Sequence, residues 1–330
     1  MKNERGIILL VVVWVLTVSM AIAVELARFM RIEGLTTATY QQEVQAYYLA
    51  LAGLNRALYQ FVRAGQQGTT LLDQPGALNR SEEETQGDIW ARGDGRWQQE
   101  EYGAGGYWVR VSDEGGKINL NQVDEATLRQ TFTNLSFDAK LGEELADTIQ
   151  DWRDSDPLVR LHGAESDYYL SLPVPYPAKD GPFDTPDELL LVRGVTPALF
   201  YGTDGLGLRD VFTTYSSDSG GAVNMLTAGP LVLQAVLGVD AASARDMVQQ
   251  RSETGRADLA TLFSGAAGGI QNFNLPQVVT IESIGYLHTG GVTRRVSAVV
   301  QRSGPNSFRF LRWQDRQEGP SKRANFTDED

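Results

Sequence analysis

Ile7-Ile8-Leu9-Leu10-Val11-Val12-Val13-Trp14-Val15-Leu16-Thr17-Val18-Ser19-Met20-Ala21-Ile22-Ala23-Val24 contains no charged residue. As a helix, this run would rise about 27 Å, close to the thickness of a hydrocarbon core. Only Met1-Lys2-Asn3-Glu4-Arg5-Gly6 stands ahead of it. Ser19 to Ala23 loosely imitates the small-residue motif of a secretory signal, but Glu25 to Val62 continues the helical pattern. The stretch therefore reads as a retained anchor with a short leader trimmed on the cytoplasmic side. Lys2 and Arg5 are opposed only by Glu4, which puts the N-terminus in the cytoplasm and the rest beyond the inner membrane.

Outward from the anchor the pattern turns amphipathic. Val44, Tyr47, Tyr48, Leu51, Leu54, Leu58, Phe61 and Val62 recur at steps of three and four, one face of a helix, with Gly65 and Gly68 as its stop. Residues 65–105 are polar and read mostly as loop. Tyr107 to Val111 is a strand ended by Gly115-Gly116. Helices are expected after a cap at Asn121 or Asp124, over Leu141 to Trp152, and in short pieces at 186–194, 196–201, 229–237 and 240–251. Residues 157–187, rich in Pro, Asp and Tyr, are too long for a featureless linker and suggest a specific fold or a bound ion. Val278 to Leu287, Val292 to Val300 and Ser307 to Trp313 return to strand character at hairpin spacing. The strand at 107–111 needs them as partners, because a lone hairpin is marginal.

Composition narrows the chemistry. The chain has 330 residues, 42% of them apolar, and a net charge of −13, which argues against nucleic acid or anionic lipid as the main partner. With no cysteine there is neither a disulfide framework nor a thiolate site. The two histidines, His162 and His288, fall in different expected domains and suit neither a shared zinc site nor a catalytic pair. No nucleophile elbow or P-loop is present, so no enzyme is expected.

Lys117-Ile118-Asn119-Leu120-Asn121 and Val223-Asn224-Met225-Leu226-Thr227-Ala228 form a degenerate internal repeat. Each is followed by helices and a small-residue turn, at Gly194-Val195-Thr196 and Gly238-Val239-Asp240, in a unit that resembles helix-hairpin-helix domains. Both turns lack the second glycine, and Asp240 would place a carboxylate where a phosphate should sit. Residues 117–270 carry 11 Lys and Arg against 22 Asp and Glu, a net of −11 that opposes duplex binding. The repeat is read as a reused packing unit.

Two sets of residues carry a family resemblance. Arg5-Gly6 before Ile7-Ile8-Leu9-Leu10 resembles the prepilin-peptidase site of type IV pilins and type II secretion pseudopilins, which implies cleavage between Gly6 and Ile7. The fifth residue of the mature chain, usually Glu in that family, is Val11 here, a departure typical of the K-type minor pseudopilins. Asp151-Trp152-Arg153-Asp154-Ser155-Asp156, Gly163-Ala164-Glu165-Ser166-Asp167 and Pro182-Phe183-Asp184-Thr185-Pro186-Asp187-Glu188-Leu189 resemble the K-type signature through to Val192-Arg193-Gly194.

The resemblance implies an α+β fold: a long transmembrane and amphipathic helix packed on a small antiparallel pilin-like sheet, with a large, mainly α-helical insertion holding the two degenerate helix-hairpin-helix-like units. The expected boundaries are a leader at 1–6, the helix at 7–64 with its span at 7–24, the sheet domain at 65–116 and 271–314, the insertion at 117–270, and a polar tail at 315–330. The implied role is capping the tip of a periplasmic pseudopilus. Its implied partners are the I-type and J-type minor pseudopilins, the prepilin peptidase and the inner-membrane secretion platform, with no nucleic acid. Asp151, Asp154, Asp156, Glu165, Asp167, Asp184 and Asp187 supply oxygen ligands at a density that suits Ca²⁺, the ion the resemblance also implies. The same carboxylates serve equally as helix caps and loop solvation, and EF-hand spacing is absent. Two other classes remain: a membrane-anchored helix-hairpin-helix DNA-binding protein of an uptake system, and a secreted acidic enzyme with a cleaved signal.

Overall fold

The computed structural model describes residues 4–67, 93–202, 207–215, 222–253, 271–272, 276–289, 291–304 and 307–318. Its first element is one helix, α1 (Glu4–Gln67), about 96 Å long at 1.5 Å per residue. It passes through Gly6 and Ile7 without a break, and through Gly65, which sequence reading took as part of its stop. Over Ile8–Arg63 it is long and apolar enough to cross a membrane. Residues 8–41 are exposed throughout, whereas Ala46, Ala50, Leu54, Ala57 and Phe61 are fully buried. Those five, at steps of four and three, form the stripe that meets the sheet.

The sheet comprises β1 (Gln98–Tyr102), β2 (Gly105–Asp113), β7 (Val278–Leu287), β8 (Thr293–Gly304) and β9 (Ser307–Glu318), in the order β1-β2-β7-β8-β9 and antiparallel throughout. The strand read at 107–111 does find its partner in the C-terminal segment, as β2 pairs with β7 from Gly105↔Leu287 to Asp113↔Val279. Strand β1 is a correction to the reading of 65–105 as mostly loop. Gln-Gln-Glu-Glu-Tyr has no apolar alternation because it is an edge strand with little to bury. Strand β9 likewise runs to Glu318, four residues into the stretch expected to be tail.

Helix and sheet meet closely because two glycines remove side chains between them. A Cβ on Gly285 would collide with the Ala46 carbonyl and the Ala50 nitrogen, and one on Gly53 with Ser283 and Tyr107. These contacts also orient the molecule. Gly285 lies against Ala46 and Ala50, Ser283 against Gly53, and Arg302 bonds the Phe61 carbonyl, so Asp113 and Val278 mark the end farthest from the anchor. The chain leaves the sheet at Asp113 and returns at Val278. The described residues between those two are therefore carried at the end of the sheet farthest from the apolar half of α1.

That insertion starts with a 3-10 turn (Glu114–Gly116) and β3 (Ile118–Asn119). It continues with α2 (Glu125–Asn134), α3 (Ala139–Arg153), α4 (Ser166–Leu170), a second 3-10 turn (Pro186–Leu191), α5 (Pro197–Tyr201), α6 (Leu208–Val211) and β4 (Phe212–Thr213). Then come β5 (Val223–Asn224), α7 (Pro230–Leu237), α8 (Ala241–Glu253) and β6 (Gln271–Asn272). Leu128, Phe132, Leu145, Ile149, Phe200, Phe212, Met225 and Leu233 belong to one core, separate from that under α1. Two short parallel ladders, β3 with β4 and β5 with β6, close it.

The repeat seen in sequence is a repeat in backbone geometry. Asn119 Oδ1 accepts from the Asn121 amide at 2.8 Å, and its carbonyl accepts from Gln122 and Val123. Asn224 does the same for Leu226, at 3.2 Å, and for Thr227 and Ala228. Each turn is then clamped by an arginine. Arg153, the last residue of α3, donates to the Leu120 and Val123 carbonyls, and Arg251 of α8 donates to Met225 and Ala228, both at 2.8 Å. An Asn side chain bonded to its own backbone makes the turn, and a guanidinium fork satisfies the two carbonyls the turn leaves free.

Candidate functional site

The acidic loop is built on the end of α3. Asp151 is fully buried at the face of that helix, where Arg160 Nη1 reaches it at 2.6 Å and reaches Asp154 at 2.5 Å. The Arg160 amide also donates to Asp151, at 3.2 Å. A Cβ on Gly163 would overlap the Asp151 carboxylate, which is the physical reason for glycine at the start of Gly163-Ala164-Glu165. Trp152 fixes the other side of the loop, with its ring 5.1 Å from Tyr169, 6.3 Å from Tyr176 and 6.5 Å from Phe183.

Glu165 is the electrostatic centre. It is buried, and its carboxyl is pushed up to about 7, first by desolvation and then by the fields of Asp151, Asp154, Asp180 and Asp156. Buried Glu165 Oε1, Asp154 Oδ1, Gln150 Nε2 and Trp152 Nε1 have no hydrogen-bond partner. Two of these are carboxylate oxygens without a donor in a crowded negative field, and a cation would give them the charge and the bonds they lack. Arg160 supplies part of that charge. Among the described residues no three acidic or histidine side chains converge into a ready-made metal cage.

The seven carboxylates singled out in sequence thus divide. Asp151 and Asp154 share Arg160 and their fields reach Glu165, as does that of Asp156, whose Oδ1 accepts from the Leu158 amide at 2.9 Å. Asp167 is exposed in the first turn of α4. Asp184 is paired with Lys179 at 2.6 Å and Asp187 with Arg312 at 2.9 Å. The cap of the nearby 3-10 turn is Thr185 with Glu188, and not Asp184. Sequence reading missed Arg160 and Asp180. Only their place in the acidic stretch could have pointed to them.

His162 and His288 do lie in separate parts of the molecule. His162 Nδ1 is 3.4 Å from Asp147, and His288 Nε2 is 3.1 Å from Glu101. At the turn after α7, Gly238 adopts the left-handed conformation, and Asp240 receives the Ala242 and Ser243 amides at 3.0 and 2.9 Å. Its carboxylate fills the helix N-terminus at which a phosphate would have to bind.

A second polar cluster joins the sheet to the insertion. Buried Asp113, at the end of β2, accepts from the Gly115 amide at 2.9 Å, and from Asn224 Nδ2 and Thr227 Oγ1 at 2.8 Å each. Burial pushes its carboxyl up to about 6 despite these donors. Glu114 beside it accepts from Thr213, Thr280 and Lys117. Gly116 makes the close approach possible, since a Cβ there would press on Thr227.

Residues 111–202 match the family described as type II secretion system (T2SS), protein K. The chain is 27% identical over 221 residues to the type II secretion system protein K of Aeromonas hydrophila, a match covering 60% of this chain and 61% of that one. Identity to the protein K of Pectobacterium carotovorum subsp. carotovorum is 26% over 216 residues, with the same two coverages. The chain thus spans about three fifths of the length of these curated relatives. The fold is shared with GspK in the crystal structure of the GspK-GspI-GspJ complex from the enterotoxigenic Escherichia coli Type 2 Secretion System. That likeness has a TM-score of 0.61 at 18% identity, covering 86% of this chain and 100% of that one. These matches make the chain similar to the type II secretion system protein K family, with the family model falling on residues 111–202.

Proposed function

We propose that this chain is a minor pseudopilin that caps the membrane-distal tip of a periplasmic pseudopilus. The observation that carries this reading is the placement of the insertion. Both of its connections, at Asp113 and Val278, lie at the end of the sheet farthest from the anchor, where a bulky helical domain blocks the stacking of a further subunit. In this reading the helix is anchored in the bacterial inner membrane with its N-terminus cytoplasmic, and the prepilin peptidase cuts between Gly6 and Ile7. The I-type and J-type minor pseudopilins are its partners in the filament, and the inner-membrane secretion platform assembles them. That the fold neighbour was solved with GspI and GspJ supports the partner assignment. The action is assembly, and the reading assigns no catalytic residue. The two repeated turns and the helix pairs that follow them serve as packing units.

Val11 supports the tip position. A carboxylate left unpaired at such depth in the membrane costs about 2.5–3.5 kcal/mol on insertion scales, and a tip subunit has no neighbour above to pair it. A structural calcium ion at the acidic loop completes the reading. Glu165 and Asp154, whose buried oxygens Oε1 and Oδ1 have no hydrogen-bond partner, would hold it, and it would supply positive charge that fixes the loop against α3. Gold labelling of assembled pseudopili tests the position. One label at the distal end is expected, and labels repeated along the shaft would refute the tip assignment. Mass spectrometry of the membrane-extracted protein should find Ile7 at the N-terminus, whereas a chain starting near Glu25 would point to a cleaved signal.

A further inference from the structure

Helix α1 covers only part of its own sheet. It lies across β2, β7 and β8 and only grazes β9. Yet β9 continues the same face. Directly opposed residues of an antiparallel pair point to one side, and Trp313, Phe310 and Phe308 lie opposite Ala298, Val300 and Arg302 of β8. Ala298 and Val300 pack in the core under α1, and Arg302 bonds the Phe61 carbonyl. A register shift between Val299 and Val300 keeps Trp313 in phase with the two phenylalanines.

The three rings therefore form one stripe beside α1. Phe308 and Phe310 meet edge-on with centroids 5.4 Å apart, as do Phe310 and Trp313, and the three side chains are 39–43% exposed. At the distal end of the stripe sits Arg302, its guanidinium 4.4 Å from the Phe61 ring. Buried Arg302 Nε has no acceptor, and no carboxylate pairs with this cation among the described residues.

Spacing indicates what fits there. Strand β9 is two strands from β7, about 10 Å at 4.8 Å per strand, the separation at which neighbouring helices pack. A second helix lying alongside α1 would rest on the rings. Lipid is out of reach, since Phe61 stands 37 residues beyond Val24, about 55 Å along α1. An added strand would bind the β9 backbone and leave the aromatic face bare.

We propose that Phe308, Phe310 and Trp313, with Arg302 at their distal end, seat the amphipathic helix of a second pilin-type subunit, which lays an apolar face on the rings and brings a carboxylate to Arg302. The proposal rests on the pseudopilin reading and adds to it a surface and a recognition chemistry.

The test uses the full chain co-expressed with the I-type and J-type pseudopilins. A photoreactive benzoylphenylalanine replaces Phe310 in one sample and Tyr102, on the opposite edge strand, in a control. Crosslinks from position 310 should map to the N-terminal helix of one partner, and those from position 102 should not. Phe310→Ser, an exposed change that leaves the core intact, should lower the complex recovered by about tenfold, as loss of an aromatic anchor does at interface centres. Crosslinks to a strand or to another copy of this chain, or undiminished complex with Phe310→Ser, would overturn the seat while leaving the pseudopilin reading in place. If the wild-type chain captures neither partner, that reading falls and takes the seat with it.

Discussion

The turns at Asn119 and Asn224 are the same device in two settings. Both are Asn-closed and both are clamped by an arginine fork from a later helix. Around the first, the chain inserts the acidic loop between α3 and the 3-10 turn, and Arg153 stands beside Asp154. Around the second, one left-handed glycine joins α7 to α8, and burial lowers the Arg251 guanidinium to about 10. Backbone geometry is thus what the repeat conserves, and charge chemistry is what the insertion adds. The second unit is fastened to the sheet through buried Asp113, the first through the Asp187–Arg312 pair at 2.9 Å.

Removing the forks should have the largest effect. Arg251→Met leaves two carbonyls without their charged donor, a loss of about 3 kcal/mol in denaturant unfolding, and Arg153→Met should cost a similar amount. A neutral Arg251→Met would show that the two turns are alike in shape alone. Calcium should then separate the units. An ion at the acidic loop stabilises the native state by about 2.7 kcal/mol at a hundredfold excess over its dissociation constant. Chelation should lower the melting temperature and speed hydrogen exchange over 150–185, with 230–251 unaffected. An identical melt of demetallated and calcium-loaded protein would reduce those carboxylates to caps.

The asparagines should differ by less. Asn119→Ala loses its turn bond and a bond to the Tyr215 carbonyl, about 1 kcal/mol. Asn224→Ala also strips a donor from buried Asp113 and should cost about 2 kcal/mol. Equal losses in the two variants would place Asp113 outside the comparison. The smallest effect is that of pH. Because the Asp113 carboxyl is raised in the folded chain, the native state binds its proton more readily than the unfolded state does, so stability from this group increases as pH falls through about 6. Between pH 7 and 5 the gain should be about 1 kcal/mol, and Asp113→Asn should abolish that part of the slope.

Much of this was legible in the sequence because it is local. An uncharged apolar run, an apolar stripe at steps of three and four, and alternating C-terminal strands specify a long helix and an antiparallel sheet wherever they occur. Short helices at 196–201 and 229–237 were visible for the same reason and are found at Pro197–Tyr201 and Pro230–Leu237. Strand β1 was not legible, since a polar edge strand is defined by its partner and not by its own pattern.

The acidic stretch shows where sequence reading stops. Residue types marked 151–187 as rich in oxygen ligands, and the segment around them was enough to suggest the family. Which carboxylates meet was decided only by packing: α3 aims Asp151 inward, Gly163 lets the loop come against it, and Lys179 and Arg312 draw Asp184 and Asp187 away. The same holds for Asp113 and Asn224, and for Arg302 and Phe308, whose contacts join residues far apart or on different strands. Sequence by itself determined the elements and their amphipathic faces, because these follow from backbone periodicity and from the transfer of side chains out of water. Tertiary structure decided the pairing of charges and the half-exposed aromatic edge, because both depend on which distant surfaces meet in space.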